Sequence, residues 1–292
     1  MSDNRLLPEG TVLEKRYQIG EKIGEGGFGI TYSGMDTQLH MEVAIKEYFP
    51  ASLAKRDVVL QQDTRIHVLE GKNEQFQGGL LQFEREMNHL VSFGNQLGTT
   101  SIRDFFSANG TSYIVMDFAR GKTLKEYCME NGPMPEKQVL SVMYSVMKVL
   151  CDMHQAGLLH RDVSPDNIIV DNRGKVKLVD FGSVRRMKDR PVTEAVVFIK
   201  RGFAPLEQYR SRSSQGPWTD VFGVCATLYY MLTGHVPPDV LERMKNDQVK
   251  RPDEWGIMGI SGKTVRAVMK GLSLKEEERY MTMLDLMRAL YG

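Results

Sequence analysis

The apolar positions of this chain change period along its length. Three short runs, Tyr17-Gln18-Ile19, Ile30-Thr31-Tyr32 and Val43-Ala44-Ile45-Lys46, predict a three-stranded meander over 17–47. Residues 48–79 show no clear period and read as a long connection. Apolar residues at 80, 83, 87, 90 and 91 then share one face of a helix from Leu80 to Val91. Strands at about 101–107 and 112–117 flank the turn Ala108-Asn109-Gly110. From there a helical period takes over. A short helix starts near Thr123, and a long one runs from about Glu136 to Ala156, with Gly157 at its C-terminal end. Its stripe of Val139, Val142, Met143, Val146, Leu150 and Met153 reads as core packing. Two short apolar strands interrupt the helices, Ile168-Ile169-Val170 and Val176-Lys177-Leu178-Val179, around the polar turn Asp171-Asn172-Arg173-Gly174. Ser183 to Gln208 is polar. An apolar helix from Trp218 to Gly234 and amphipathic helices at about 239–246, 262–272 and 282–291 complete the chain.

With 292 residues, 41 % of them hydrophobic, the chain can form one large domain or two packed lobes. Lys plus Arg number 38 and Asp plus Glu 37, and that net charge of +1 gives no reason to expect nucleic acid or an anionic membrane as partner. Cys128, Cys151 and Cys225 lie far apart with no C-x-x-C spacing, which argues against a zinc site or a disulfide framework. A reducing, cytoplasmic setting is expected. Met1 to Thr11 has no apolar h-region, so no signal peptide is expected, and the apolar run Val221 to Leu232 is too short to span a bilayer. The chain stops at Gly292 just after a helical pattern, which leaves room for a longer, even membrane-anchored, parent protein.

Chemistry concentrates between His160 and Gly182. The two strands there hold Asp162, Asn167 and Asp180 at one end of a hairpin. A carboxylate that accepts a hydroxyl proton, with an amide and a second carboxylate as hard oxygen ligands, suits Mg²⁺-dependent phosphoryl transfer. For a single Asp-Asn pair, Asx turns in an ordinary hairpin would be explanation enough. A second candidate is Gly24-Glu25-Gly26-Gly27-Phe28-Gly29 between two strands, where Gly24, Gly26 and Gly29 would let the backbone approach phosphate oxygens. No helix opens after it, and the G-x-x-x-x-G-K-[ST] phosphate loop is absent, so the loop does not belong to an ordinary nucleotide-binding βαβ unit.

Taken in order, these motifs resemble protein kinases. His160-Arg161-Asp162-Val163-Ser164-Pro165-Asp166-Asn167 and Asp180-Phe181-Gly182 are similar to the H-R-D-x-x-x-x-N and D-F-G loops, and Val43-Ala44-Ile45-Lys46 to the strand carrying the phosphate-gripping lysine. The resemblance covers roughly 15–292 and is nearest to bacterial serine/threonine kinases with a G-G-F-G-I-T-Y loop. It implies an α+β, bilobal fold: an extension over 1–14, a small β-rich lobe over 15–116, a hinge over 117–122 and a mainly helical lobe over 123–292. It implies transfer of the ATP γ-phosphate to protein Ser or Thr hydroxyls, with Asp162 as base and Mg²⁺ on Asn167 and Asp180. ATP would be bound by Gly24, Gly26, Gly29, Thr31, Ala44, Lys46, Met116, Ile169 and the backbone of Asp117 and Ala119. Thr31 replaces the usual Val over the adenine. For the carboxylate that pairs with Lys46 the wheel places Glu84 nearer the helix's apolar face, whereas the family pattern F-x-x-E selects Glu86 after Phe83. The resemblance further implies a Glu207–Arg279 ion pair, an Asp220 that braces the catalytic loop, and Arg161 as the docking group for a phosphorylated Thr193 or Ser183. The partners would be a protein substrate and the chain itself.

Two further features depart from the family. Cys225 stands where a glycine is usual. Ser164 stands where serine/threonine kinases carry a lysine that steadies the γ-phosphate, and Asp166 stands where tyrosine kinases place a compensating arginine. Counted back from Glu207 without gaps, Lys200 falls on the position of the threonine that touches the catalytic Asp and Lys in the family. Either the cation has moved to Lys200, or Lys200 is solvated and the enzyme slow. Two rival functions stand beside the protein kinase. One is a pseudokinase, an ATP-binding regulatory module that only Ser164 favours; the other is a small-molecule kinase, whose relatives lack the segment ending at Glu207.

Overall fold

The computed structural model describes residues 5–27, 29–56, 64–93, 102–187, 199–210 and 213–292; the side chains of residues 86 and 88–93 lie outside that description. Among these residues the chain divides into two units, the first running to Ala119 and the second starting at Arg120.

The first unit is built on β1 (Val12–Leu13), β2 (Tyr17–Gly26), β3 (Gly29–Asp36), β4 (Met41–Tyr48), β5 (Ala54–Lys55), β6 (His67–Val68), helix α1 (Asn73–Phe93), β7 (Ile102–Ala108) and β8 (Thr111–Asp117). Six of the strands form one antiparallel sheet in the order β1-β2-β3-β4-β8-β7, and β5 pairs with β6. Asn109 and Gly110 carry φ of 53° and 77°, the two positive values that a two-residue hairpin turn needs between β7 and β8. Strand β4 is central, and its last six residues are buried on both faces.

The expected connection over 48–79 contains β5, β6 and the start of α1, which begins seven residues before the predicted Leu80. Gly78-Gly79, expected to end the connection, lie inside the helix. A Cβ on Gly79 would lie 2.1 Å from the Tyr48 hydroxyl, so glycine lets α1 seat against that side chain. Tyr48 packs on the Phe76 and Phe83 rings, at 5.3 and 5.5 Å, and this contact carries the helix onto the sheet.

The second unit contains β9 (Lys122–Thr123), α2 (Leu124–Asn131), α3 (Glu136–Gln155), β10 (Leu158–Leu159), β11 (Ile168–Val170), β12 (Val176–Leu178), β13 (Arg185–Arg186), α4 (Leu206–Tyr209), α5 (Pro217–Thr233), α6 (Val240–Arg243), α7 (Gly262–Gly271) and α8 (Met283–Tyr291). Helix α5 is apolar all round and is surrounded by α3, α7 and α8. Thr123 and Glu126 cap α2 reciprocally, and Gly157 and Gly234 close α3 and α5 at φ of 76° and 74°. The core stripe of α3 includes Met147, while the expected Val142 sits at its edge. The helix expected over 239–246 is only Val240–Arg243, and the buried Arg243 guanidinium bonds the Leu272 carbonyl and Asp247. Among the described residues no helix is long and apolar enough to cross a membrane.

Cys225 is fitted by its neighbour. A Cβ on Gly271 would lie 2.1 Å from the Cys225 sulfur, so the side chain gained at 225 on α5 occupies space left open at 271 on α7.

Candidate active site

In the first unit, strand register gathers the expected nucleotide-facing positions. Thr31 pairs with Lys46, Ala44 with Met116, and Gly24 with Thr31. Directly paired residues share a sheet face, as do positions two apart on a strand. Gly24, Thr31, Ala44, Lys46 and Met116 therefore line one face, with Ala44, Lys46 and Met116 buried. Tyr48, two residues after Lys46, continues that face and receives α1.

The glycines of the β2–β3 hairpin divide by role. A Cβ on Gly26 would meet nothing within 4 Å, and one on Gly24 only Thr31 at ordinary contact distance. Gly29 differs: its Cβ would lie 1.8 Å from the Glu47 carbonyl oxygen, so the sheet itself demands glycine there. The helix acid Glu84 accepts from Ser112 Oγ at 2.7 Å and Ser107 Oγ at 3.4 Å, on β8 and β7. The Glu86 side chain lies outside the described residues, and so does Thr193.

The opposite sheet face holds a group that the sequence did not reveal. Glu47 is buried and bonded to Arg56, Tyr113 Oη (2.6 Å) and Tyr32 Oη (3.1 Å). Burial pushes its carboxyl above the usual carboxylate range, against the pull of Arg56. Arg56 also donates to the carbonyls of Arg5 and Thr64, at 2.5 and 3.0 Å, and so ties the start of the chain to the strand that carries Lys46. In sequence the signal was a charge inside the apolar run Val43 to Phe49.

In the second unit the 3₁₀ turn Pro165–Asn167 leads into β11, whose register with β12 is Ile168 to Leu178, Ile169 to Lys177 and Val170 to Val176. The turn between them is held by Asp171, which accepts from the amides of Arg173 and Lys175. Ile169 also pairs with Thr123 of β9. This frame fixes the polar groups. Asn167 Nδ2 donates to both the main-chain oxygen and the Oδ2 of Asp162, each at 2.8 Å, which orients that carboxylate. The buried Asp220 accepts from the amides of His160 (2.9 Å) and Arg161 (2.7 Å) and contacts His154 Nε2 at 2.8 Å. Burial alone would raise its carboxyl; the His154 contact and those amides hold it below the ordinary range. Arg161 and Asp180 have φ of 67° and 62°, strained values for side-chain-bearing residues, held here by neighbours on both sides. Phe181 packs edge-on against His160, and Arg161 Nη1 donates to the Ser183 carbonyl at 3.4 Å.

Lys200 is not a free surface lysine. Its Nζ donates to Ser164 Oγ at 2.9 Å and pairs with Asp166 Oδ2 at 2.5 Å. The turn from Lys200 to Ala204 sets its backbone, since the amides of Phe203 and Ala204 both bond the Lys200 carbonyl. Gly202, at φ 80°, leaves room in that turn for Pro237 and Val236. Further on, Glu207 and Arg279 form the expected ion pair at 2.7 Å, both buried.

Residues 17–288 match the family described as protein kinase domain. The chain belongs to that family. It is 33 % identical over 230 residues to the serine/threonine-protein kinase PknL of Mycobacterium tuberculosis, covering 78 % of this chain and 52 % of that protein. Against the serine/threonine-protein kinase PknB of Mycobacterium leprae the identity is 29 % over 289 residues, 94 % of this chain and 42 % of that one. The chain thus spans about half the length, or less, of these curated relatives. The solved structure described as "PpkA-294 apo form" superposes with a TM-score of 0.80 at 34 % identity, over 98 % of this chain and 99 % of the other. The protein kinase fold follows, strand-rich in the first unit and helical in the second.

Two partners within this kinase domain escaped the sequence reading, Asp166 as the anchor of Lys200 and Lys125 as a second lysine on Asp166. Lys125 and Asp166 are 41 residues apart, and the pairing of β9 with β11 and the packing of α2 on the 3₁₀ turn bring them together.

Proposed function

We propose that this chain is the catalytic domain of a serine/threonine protein kinase, transferring the ATP γ-phosphate to protein hydroxyl groups and to a hydroxyl of its own at Ser183 or Thr193. One observation carries the reading: Asp162 has its carboxylate oriented by Asn167 while Asp220 grips the backbone just before it. A base that must accept a hydroxyl proton within one geometry needs such fixing, and its contribution is typically about 10²–10⁴ in rate. Lys46, Thr31, Ala44, Met116 and the open glycines Gly24 and Gly26 form the nucleotide-binding face, with residues 117–122 as hinge and the backbone of Asp117 and Ala119 for adenine. Glu86 is the proposed partner of Lys46.

The residues available fit Mg²⁺. Asn167 uses its amide nitrogen on Asp162, which leaves the amide oxygen as its donor to a cation, and Asp180 adds a carboxylate. Among the described residues no cluster of three His, Cys, Asp or Glu side chains forms a ready metal cage, in keeping with an ion that takes one or two protein ligands and the rest from phosphate and water. When bound, Mg²⁺ would neutralise phosphate charge during transfer. Asp162 would orient the acceptor hydroxyl and take its proton, and Lys200 would supply the cation that position 164 lacks.

Incubation with Mg²⁺-ATP followed by mass-spectrometric mapping tests the reading. Phosphoserine or phosphothreonine on protein is expected. Nucleotide binding without transfer, or transfer to a small molecule alone, would contradict it.

A further inference from the structure

Asp166 lies in the same 3₁₀ turn as Asn167, two residues after Ser164. Its carboxylate, in contact with the lysine that reaches Ser164, cancels that lysine's charge unless a second cation compensates it. Two lysines answer it from different elements. Lys125, in the first turn of α2, bonds Oδ1 at 2.8 Å, and Lys200 meets Oδ2 at 2.5 Å. Lys200 donates as well to Ser164 Oγ, on a fully buried side chain, and its ammonium lies 6.0 Å from the centre of the Phe203 ring. Two ammonium groups, one carboxylate and a neutral hydroxyl leave one net positive charge. A single lysine at position 164 would supply the same.

The arrangement sorts the roles. With Lys200 alone on Asp166, the pair would be neutral and its ammonium charge largely cancelled at contact distance. With Lys125 on the other carboxylate oxygen, Asp166 is compensated twice and the surplus charge stays with the cluster. We propose that Lys125 and Asp166 are positioning residues for phosphoryl transfer: Asp166 holds Lys200 on Ser164, and Lys125 neutralises Asp166 so that the Lys200 charge remains available to the transferred group. This rests on the kinase reading above, with Lys200 as the displaced cation. The competing account is that Lys125–Asp166 is a half-exposed ion pair with a small stabilising effect and no part in the reaction.

The test is a double-mutant cycle on the whole chain, with single-turnover transfer, KM for ATP and Tm measured for wild type, Lys125→Met, Lys125→Arg, Lys200→Ala and the double variant Lys125→Met with Lys200→Ala. Lys125→Met is expected to slow transfer roughly tenfold, the effect of one uncompensated charge a few ångströms away, with KM and Tm close to wild type. Lys125→Arg should restore the rate. The double variant should transfer at the rate of Lys200→Ala alone, because Lys125 acts only through Lys200. A Lys125→Met rate equal to wild type would overturn the proposal, as would a Lys125→Met effect that persists in the absence of Lys200. A wild-type chain that transfers no phosphate would instead overturn the kinase reading itself.

Discussion

The Lys200 ammonium donates to the Ser164 hydroxyl across 2.9 Å, and Ser164 is the second residue after Asp162. A cation from the segment after Asp180 thus reaches the catalytic-loop position that carries lysine in similar serine/threonine kinases. Two expectations were set for Lys200, a displaced cation or a solvated side chain with a slow enzyme; the side chain is partly exposed and held by Ser164 and Asp166. Its part in the reaction is the proposal to be tested.

The base assignment leads to a separation of binding from transfer. Asp162→Asn should abolish transfer and leave Mg²⁺-ATP affinity within about twofold, because the nucleotide is held by other groups. Calorimetry and autophosphorylation on the same preparation check it. Undiminished phosphorylation in the variant would remove Asp162 from its role.

The exchange of volume between Cys225 and Gly271 predicts coupled stability changes. Gly271→Ala drives a Cβ into the cysteine sulfur and should cost about 1–3 kcal/mol. Adding Cys225→Gly opens the space again, so the double variant should be more stable than the sum of the two single losses implies. Urea unfolding of the four proteins gives the coupling. Strict additivity would mean that the two positions do not compete for volume.

Asp220 predicts a pH dependence. Its carboxyl lies below the ordinary range in the folded chain, so the unfolded chain binds the proton more readily. The stabilisation is then complete above the unfolded value, about pH 4, and is lost as pH falls through the folded one. Asp220→Asn should lower stability by about 2–3 kcal/mol through the weakened bonds to the His160 and Arg161 amides. The difference in Tm from wild type should shrink as pH falls below about 4, where the wild-type carboxylate takes up its proton. A gap that does not shrink there would show that another group sets it.

What could be read from the sequence was local or carried by ordered motifs. Asp162, Asn167 and Asp180 lie within one hairpin, whose strands, turn and register follow from two apolar triplets around Asp171 to Gly174. Glu207 and Arg279 are 72 residues apart, yet each sits in a recognisable motif, so their pairing was legible too. Other features depended on tertiary contact. Gly78-Gly79 fell in the expected connection, and only the Tyr48 hydroxyl shows why a helix carries glycine at 79. The pairing of Glu47 with Arg56 was not legible, because burial of the pair belongs to the assembled sheet and not to either residue. Gly29 was expected to let the backbone approach phosphate, and the β4 carbonyl oxygen that also excludes a side chain there was not legible. The anchoring of Lys200 by Asp166, and of Asp166 by Lys125, needed three separate segments brought to one place.

Everything proposed for this site turns on the Lys200 charge, so the most direct measurement is kcat of Lys200→Ala with chemistry shown to be rate-limiting. A charge acting on the γ-phosphate as it transfers, and not on adenine or the α-phosphate, should affect kcat far more than KM for ATP. The expected loss is about 10²–10³ in kcat, partly recovered when Ser164→Lys is combined with Lys200→Thr. A Lys200→Ala enzyme within about twofold of wild-type kcat would contradict the account.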